Sequence, residues 1–135
     1  MDWRNHEYYP DPTAAQALAN VAREEKTFCV FICSPYAGDV DLNVEKAKEY
    51  LEFSIERGTI PFAPHLLYPQ VFDDKDPRGR KLALSLGMAW LERCDEVWVF
   101  GSIISKGMQR EIRKAMKLEI PIRHFTEECE EVQCL

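Results

Sequence analysis

Ser105-Lys106-Gly107 leads into Met108-Gln109-Arg110-Glu111, and this stretch carries the most specific chemistry in the chain. A serine and a glycine ahead of a helical pattern mark a helix start. Unsatisfied backbone N–H groups and the positive end of the dipole make such a start a seat for phosphate or another anion. Glu111 stands one turn inside, four residues after Gly107, while Met108 and Ile112 take the apolar stripe. A carboxylate held there can attack an anomeric carbon, the step that opens glycosyl transfer through a covalent intermediate. The same spacing also fits a solvated glutamate paired with Lys114 or Arg113.

A second polar stretch, Ser34-Pro35-Tyr36-Ala37-Gly38, follows an apolar run and precedes a helical pattern. Ser34 can hydrogen-bond a ligand oxygen. Tyr36 can stack on a base or offer a hydroxyl to a sugar, and Gly38 permits close approach of backbone to a ligand. An ordinary strand-to-helix turn has the same composition. The stretch is neither a GxGxxG fingerprint nor a P-loop, so neither a dinucleotide nor an ATPase site is expected.

The elements that must position these residues alternate. Asp11-Pro12-Thr13 opens a helix over Ala14–Lys26, and Thr27–Cys33 reads as a strand buried on both faces because its apolar run has no alternation. Asp41 or Asn43 can cap the next helix, with Val44, Ala47, Leu51 and Ile55 inward and Gly58 as its stop. Thr59–Ala63 is a short strand and His65–Lys75 a long connection. Asp76-Pro77 opens a helix with Leu82, Leu86, Ala89 and Trp90 inward. Glu96–Phe100 is a strand, Gly107–Leu118 a helix with Met108, Ile112 and Ala115 inward, and Ile120–Phe125 a last strand; Thr126–Leu135 is acidic and expected to fray. Strands alternating with helices predict an α/β fold: a Rossmann-like, flavodoxin-like parallel sheet of four to five strands covered on both faces. Ligands on such sheets bind at the carboxyl ends of the strands. Ser34–Asp39, Ala63–Tyr68 and Gly101–Gly107 lie there.

The chain has 135 residues and a net charge of −6, a size for one domain and a balance that argues against a nucleic-acid polymer as partner. No apolar run reaches the roughly 18 residues of a membrane span, and Met1–Pro10 lacks a signal-peptide core, so no membrane partner and a cytoplasmic location are expected. Five cysteines (Cys29, Cys33, Cys94, Cys129 and Cys134) form no CxxC or mixed His/Cys spacing. They read as small hydrophobes in a reducing compartment, and neither a metal nor a cofactor is expected.

Together these residues resemble the superfamily of nucleoside 2-deoxyribosyltransferases and nucleotide N-glycosidases, and within it a small phage- and bacteria-associated branch without assigned function. The likeness spans Thr27–Phe125. Ser34, Tyr36 and Gly38 match the loop after the first strand. His65 in Ala63-Pro64-His65 matches the motif after the second. Asp95 matches the aspartate opening the third strand, preceded by a helix carrying Trp90, and Ser105, Gly107 and Glu111 match Ser-x-Gly-x-x-x-Glu. The resemblance implies that Glu111 is the nucleophile taking the deoxyribosyl group and that Ser105 helps bind the 5′ end. Pro35, Asp95, Gly107 and Met108 join the substrate-binding set. Relatives of the N-glycosidase type carry a second carboxylate eight residues before the strand-opening aspartate, where this chain has Gly87. Asp73, Asp74, Asp76 or His65 could replace it, and Asp74 and His65 are taken with Glu111 as the catalytic candidates.

The expected organisation is a helical extension over 1–26, the ligand-binding domain over 27–125 and an acidic tail over 126–135. The expected function is cleavage or transfer at the N-glycosidic bond of a nucleoside or nucleotide. The alternative is a non-catalytic nucleotide-binding protein with the same pocket. Trp3, Tyr8 and Tyr9 and the apolar helix faces suggest a homodimer or a higher homo-oligomer.

Overall fold

A computed structural model describes residues 28–133. The helix expected over Ala14–Lys26, together with Trp3, Tyr8, Tyr9 and Cys134, lies outside the described residues.

Strand β1 (Cys29–Cys33) and strand β3 (Glu96–Phe100) form the centre of the sheet and pair in parallel, Val30 opposite Glu96 and Cys33 opposite Val99. Both are apolar on both faces because both faces are covered. Phe31, Cys33, Val97 and Val99 point to one side, with Leu91, Met108 and Ala115 packed on them. Val30, Ile32, Trp98 and Phe100 point to the other, with Tyr50 and Phe125. Short strand β2 (Ile60–Phe62) flanks β1. Strand β4 (Ile122–Phe125) flanks β3, and β5 (Glu131–Val132) closes that edge antiparallel to β4. The order is β2-β1-β3-β4-β5. In this doubly wound order the chain leaves β1 outward to β2 and returns across it to β3. The connections on the two sides of the β1/β3 junction therefore cover opposite faces and leave a crevice at the carboxyl ends of these two strands.

Helix α1 (Val40–Glu56) starts at Asp39, whose carboxylate accepts from Leu42 N at 3.2 Å. Neither Asp41 nor Asn43 is the cap. Asn43 instead donates its amide to the carbonyl oxygens of Tyr36 and Ala37, at 3.0 and 3.1 Å, and ties the loop after β1 to the helix. The buried stripe of α1 runs through Ala47, Tyr50 and Ser54, and Ile55 is 56% exposed. Ser54 sits on the stripe because its hydroxyl donates to the Tyr50 carbonyl oxygen at 2.8 Å, which satisfies it in the core. Ile55, about 100° further round the helix, then points outward.

The connection after β2 is not irregular: helix α2 (Pro64–Leu67) and a 3₁₀ turn (Tyr68–Gln70) occupy it. Helix α3 (Pro77–Leu91) begins as its sequence requires, with Asp76 capping Arg78 N at 3.1 Å and Pro77 at the first position. Its inward face is Gly79, Gly87 and Leu91, whereas Leu82 and Trp90 are 49% and 46% exposed. Apolar periodicity misses this face because two of its members have no side chain. A β-carbon on Gly79 would lie 3.3 Å from Phe72 Cβ, so the loop before α3 closes directly on helix backbone. Trp90 covers the sheet edge instead, stacking on Phe62 with ring centroids 4.8 Å apart. Helix α4 (Lys106–Lys117) returns the chain to β4. The acidic tail is ordered through β5. Thr126 turns it, accepting from Glu128 N and Glu130 N on its hydroxyl, and Arg123 Nε donates to Glu131 at 2.8 Å. That ion pair would be weak alone; strand pairing with β4 supplies the rest.

The α1 face of the sheet is an aromatic block. Tyr50 stacks on Phe100 at 4.3 Å, Phe100 on Phe125 at 5.0 Å, and Trp98 leans on Phe125 at 5.0 Å. Replacing Trp98 with Ala should cost about 3–5 kcal/mol in urea denaturation, while Ile55→Ala should stay within about 0.5 kcal/mol. Equal losses at the two positions would contradict this assignment of inside and outside.

Candidate active site

The crevice at the β1/β3 junction is built from three segments. The end of β1 supplies Cys33 and Ser34, both essentially inaccessible to solvent. The loop that follows bends at Gly38, which adopts φ +100° with open space where a side chain would be. Helix α2 brings His65, whose Nε2–H donates to the Ser34 carbonyl oxygen at 2.9 Å. This bond fixes the tautomer and leaves Nδ1 as the ring's free lone pair when His65 is neutral. Tyr36 stacks on the same imidazole with centroids 5.0 Å apart. Burial pushes the His65 pKa below its ordinary value, with the Ser34 hydrogen bond and the Asp74 charge opposing. Burial and then the Asp74 charge push the Tyr36 hydroxyl up. Asp74, exposed on the loop before α3, is therefore close enough to act on both rings.

Helix α4 brings the third part. Ser105 caps it, its hydroxyl accepting from Met108 N at 3.2 Å. The cap uses a lone pair and leaves the hydroxyl proton free to donate. No acidic residue stands in the first turn, and Lys106 is exposed there, so the helix start favours an anion. Met108 and Ala115 bury fully as the sequence predicts. The residue between them on the stripe is Glu111, 9% exposed, and Ile112 is pushed to the flank. Glu111 is thus not a solvated surface residue. Lys114 pairs instead with Glu92 at 2.9 Å, and Arg113 Nε donates to the Gln109 carbonyl oxygen at 3.4 Å.

Among the described residues, no cation pairs with the carboxyl in this apolar seam. Burial pushes its pKa up to about 7, opposed in part by the nearby Cys33 thiol. A strongly shifted carboxylate at a strand end is the usual signature of a group kept for chemistry. The Ser34 hydroxyl adds a second such sign. Its oxygen is fully buried, and among the described residues it has no hydrogen-bond partner. An unpaired buried hydroxyl costs about 1–3 kcal/mol unless a ligand or water satisfies it.

Ser34, Tyr36 and His65 therefore meet at one place, with the Asp74 charge acting on both rings; Pro35 and Gly38 lie on the same loop, and the first turn of α4 reaches the end of β1 where the Met108 carbonyl oxygen lies 3.8 Å from Cys33 Sγ. Two members of the sequence-based set stand apart. Asp95 precedes β3, at the opposite end of the sheet, and its carboxylate accepts from Cys29 N at 2.7 Å while its own N–H donates to the Cys29 carbonyl oxygen. It fastens the amino ends of β1 and β3, nearly a strand's length from the crevice. The Met108 side chain is 1% exposed and belongs to the core under α4, where it is packed with Phe31, Cys33 and Leu91. Conversely, the sequence gives no sign that Cys33 packs against the first turn of α4, with its Sγ 3.8 Å from the Met108 carbonyl oxygen. Cys33 reads there only as the last member of an apolar strand. Among the described residues, no three His, Cys, Asp or Glu side chains are grouped to hold a metal ion, and no helix is long and apolar enough to cross a membrane.

Residues 28–125 match the family described as a domain of unknown function, DUF7768. The chain belongs to this family. No curated protein matches it. Among solved structures, the fold is similar to that of a 2-deoxyribosyltransferase from Bacillus psychrosaccharolyticus, with a TM-score of 0.62 and 13% identity over 78% of this chain and 77% of the other. It is also similar to a 2-deoxyribosyltransferase from Leishmania mexicana, with a TM-score of 0.55 and 15% identity over 73% of this chain and 64% of the other. At these identities the shared property is the fold, a mostly parallel five-stranded sheet of the Rossmann-like kind.

The Glu111 carboxyl has a pH consequence. Its pKa is raised on folding, so the native state holds the proton more tightly than the unfolded chain, and stability falls as pH rises from the ordinary carboxyl range through about 7. Glu111→Gln removes that fall. The variant should match wild type below pH ~4 and exceed it by on the order of 3 kcal/mol at pH ~8, at about 1.4 kcal/mol per pH unit of displacement. Denaturant melts of both proteins across this range check it. A stability difference that does not change with pH would mean that the carboxyl is not buried.

Proposed function

We propose that this DUF7768 protein breaks or transfers the N-glycosidic bond of a nucleoside or nucleotide. The observation that carries the proposal is Glu111: a carboxylate on the first turns of α4, buried and, among the described residues, without a counter-charge, on a helix whose first turn packs against the end of β1. In this reading an ionised Glu111 oxygen attacks C1′ of the sugar. The C1′–N bond breaks, its electron pair leaves with the base, and a glycosyl ester forms on Glu111. Water resolves the ester to the free sugar, or a second base resolves it to a new nucleoside. The sugar hydroxyls meet Ser34 and Tyr36, and the α4 start with Ser105 and Gly107 faces the 5′ end. The kinship in fold with two 2-deoxyribosyltransferases supports the choice of a nucleoside as substrate. A homodimer or higher homo-oligomer in the cytoplasm belongs to the same reading.

The departing base needs a proton or a hydrogen bond, and Gly87 cannot provide either. A β-carbon at Gly87 would sit 3.9 Å from Pro64 Cβ, so this position faces α2 rather than open space. His65 follows Pro64 directly. We assign the contact with the base to His65 through its Nδ1; burial disfavours the protonated ring, and the Asp74 charge outside it opposes that shift, so the proton is to be taken up as the base departs.

Glu111→Ala should reduce base release from 2′-deoxynucleosides and their 5′-monophosphates by on the order of 10³-fold or more, with the fold retained by circular dichroism. Undiminished release would remove Glu111 as the nucleophile. The absence of a carboxylate at position 87 favours one second reading, a protein that binds the nucleotide without turning it over. Thermal shift against nucleosides and nucleotides, with chromatography of the products, separates the two. Stabilisation without released base selects binding, and no stabilisation by any of these ligands would tell against both.

A further inference from the structure

The loop between β1 and α1 is held by side chains from two helices. Asn43, half-buried on the first turn of α1, donates its amide to the carbonyl oxygens of Tyr36 and Ala37 at 3.0 and 3.1 Å. A carbonyl oxygen can only accept, so Nδ2 is the atom that faces the pair, and it carries two protons, one for each carbonyl. Among the described residues, no backbone N–H reaches either oxygen. From the other side, His65 on α2 donates Nε2–H to the Ser34 carbonyl oxygen at 2.9 Å. These bonds fix the peptide planes that follow Ser34, Tyr36 and Ala37, and the ring of Pro35 fixes φ between them. Tyr36 keeps little backbone freedom, and its ring lies on the His65 imidazole, with centroids 5.0 Å apart and 29° between the planes. Gly38, at φ +100°, then turns the chain into the Asp39 cap of α1. Asn43 and His65 thus grip one loop from its two ends, and Tyr36 joins them.

We propose that Asn43 is a positioning residue for His65: its amide fixes the Tyr36 backbone, and the Tyr36 ring in turn holds the imidazole against the Ser34 carbonyl oxygen. Asparagine suits the task because one nitrogen on a short side chain offers two donors. An aspartate of the same shape would turn two acceptors toward two carbonyls, and an alanine would offer nothing. With the clasp closed, this wall of the crevice is formed before a ligand arrives, and binding does not have to order it. With it open, Tyr36 lifts from the imidazole and water reaches the ring. Asp74, the charge that acts on His65, comes from the loop before α3 and stands outside the clasp. The effect on base release rests on the glycosidic reading of the crevice; the clasp itself does not.

The test follows the His65 ring by NMR in the full chain, in wild type, Asn43→Ala and Asn43→Asp, with the signals assigned by their loss in His65→Gln. Wild type should show a nuclear Overhauser effect between the Tyr36 and His65 rings, and a His65 midpoint below the ordinary histidine value. In both variants the ring contact should disappear. The midpoint should then rise toward the ordinary value, because burial is the largest influence holding it down. Asn43→Asp keeps the shape and removes the donors, so it separates the hydrogen bonds from packing and stands in should Asn43→Ala fail to fold. If neither folds, water exchange of the Asn43 amide protons in wild type decides: slow exchange supports the clasp, and exchange as fast as in a free side chain overturns it. For base release from 2′-deoxynucleosides, KM should rise about tenfold or more, the competent fraction lost with two hydrogen bonds, with a smaller change in kcat. A variant that only loses melting temperature, with the ring contact and the His65 midpoint unchanged, overturns the proposal, as does a wild type without the contact. The two readings fail separately. NMR changes as expected, alongside a wild type that releases no base, leave the clasp standing and refute the glycosidic reading.

Discussion

A carboxylate in hydrocarbon is costly, and the arrangement of this molecule follows from keeping one there. Glu111 occupies the position on α4 that an aliphatic residue would fill in an ordinary amphipathic helix, between Met108 and Ala115. Among the described residues, no lysine or arginine neutralises it. The nearest candidates on its own helix are directed elsewhere, Lys114 to Glu92 and Arg113 to the helix backbone. What remains is a thiol from the adjacent strand and a carboxyl whose charge is disfavoured by burial. Such a group lowers stability where a nonpolar one would raise it. Proteins retain that loss mainly where reactivity depends on it.

Tolerating that cost requires a rigid support. The central strands β1 and β3 are covered on both faces, and the face opposite Glu111 is a continuous aromatic block from Tyr50 to Phe125. Asp95 fastens the far ends of the same two strands through paired hydrogen bonds with Cys29. With one end of the junction fastened, the other end is free to open into a crevice. The polar residues gather there because backbone and side chains are no longer enclosed on both sides. The segment β5, turned by Thr126, protects the β4 edge and leaves the crevice untouched.

The glycines of α3 shape the remaining wall. Gly79 lets the Phe72–Asp73 loop sit on helix backbone, and Gly87 faces Pro64, the first residue of α2. These close approaches set where α2 lies and therefore where His65 and Asp74 stand. Beside Gly87, α2 places an imidazole one residue beyond Pro64, bonded to Ser34 and stacked on Tyr36. Position 87 carries no side chain, and the neighbouring helix α2 brings an imidazole to the end of β1.

The α/β class and the parallel order of the sheet were legible from the chain alone. Unalternating apolar runs at Cys29–Cys33 and Val97–Phe100 can only be buried on both faces, and the helices between them leave a parallel sheet as the solution. Asp76-Pro77 and Ser105 likewise announced their helix starts, since capping is local chemistry. The inward faces of α1 and α3 were misjudged because Ser54, Gly79 and Gly87 are buried without being apolar, and periodicity counts only apolar side chains. The β5 strand was hidden because two exposed residues carry no pattern; their pairing partner on β4 creates the strand. The burial of Glu111, the packing of Cys33 against the first turn of α4 and the fixed tautomer of His65 were decided by tertiary structure alone. Each depends on groups far apart in the chain meeting in one low-dielectric place, and local sequence does not encode that distance.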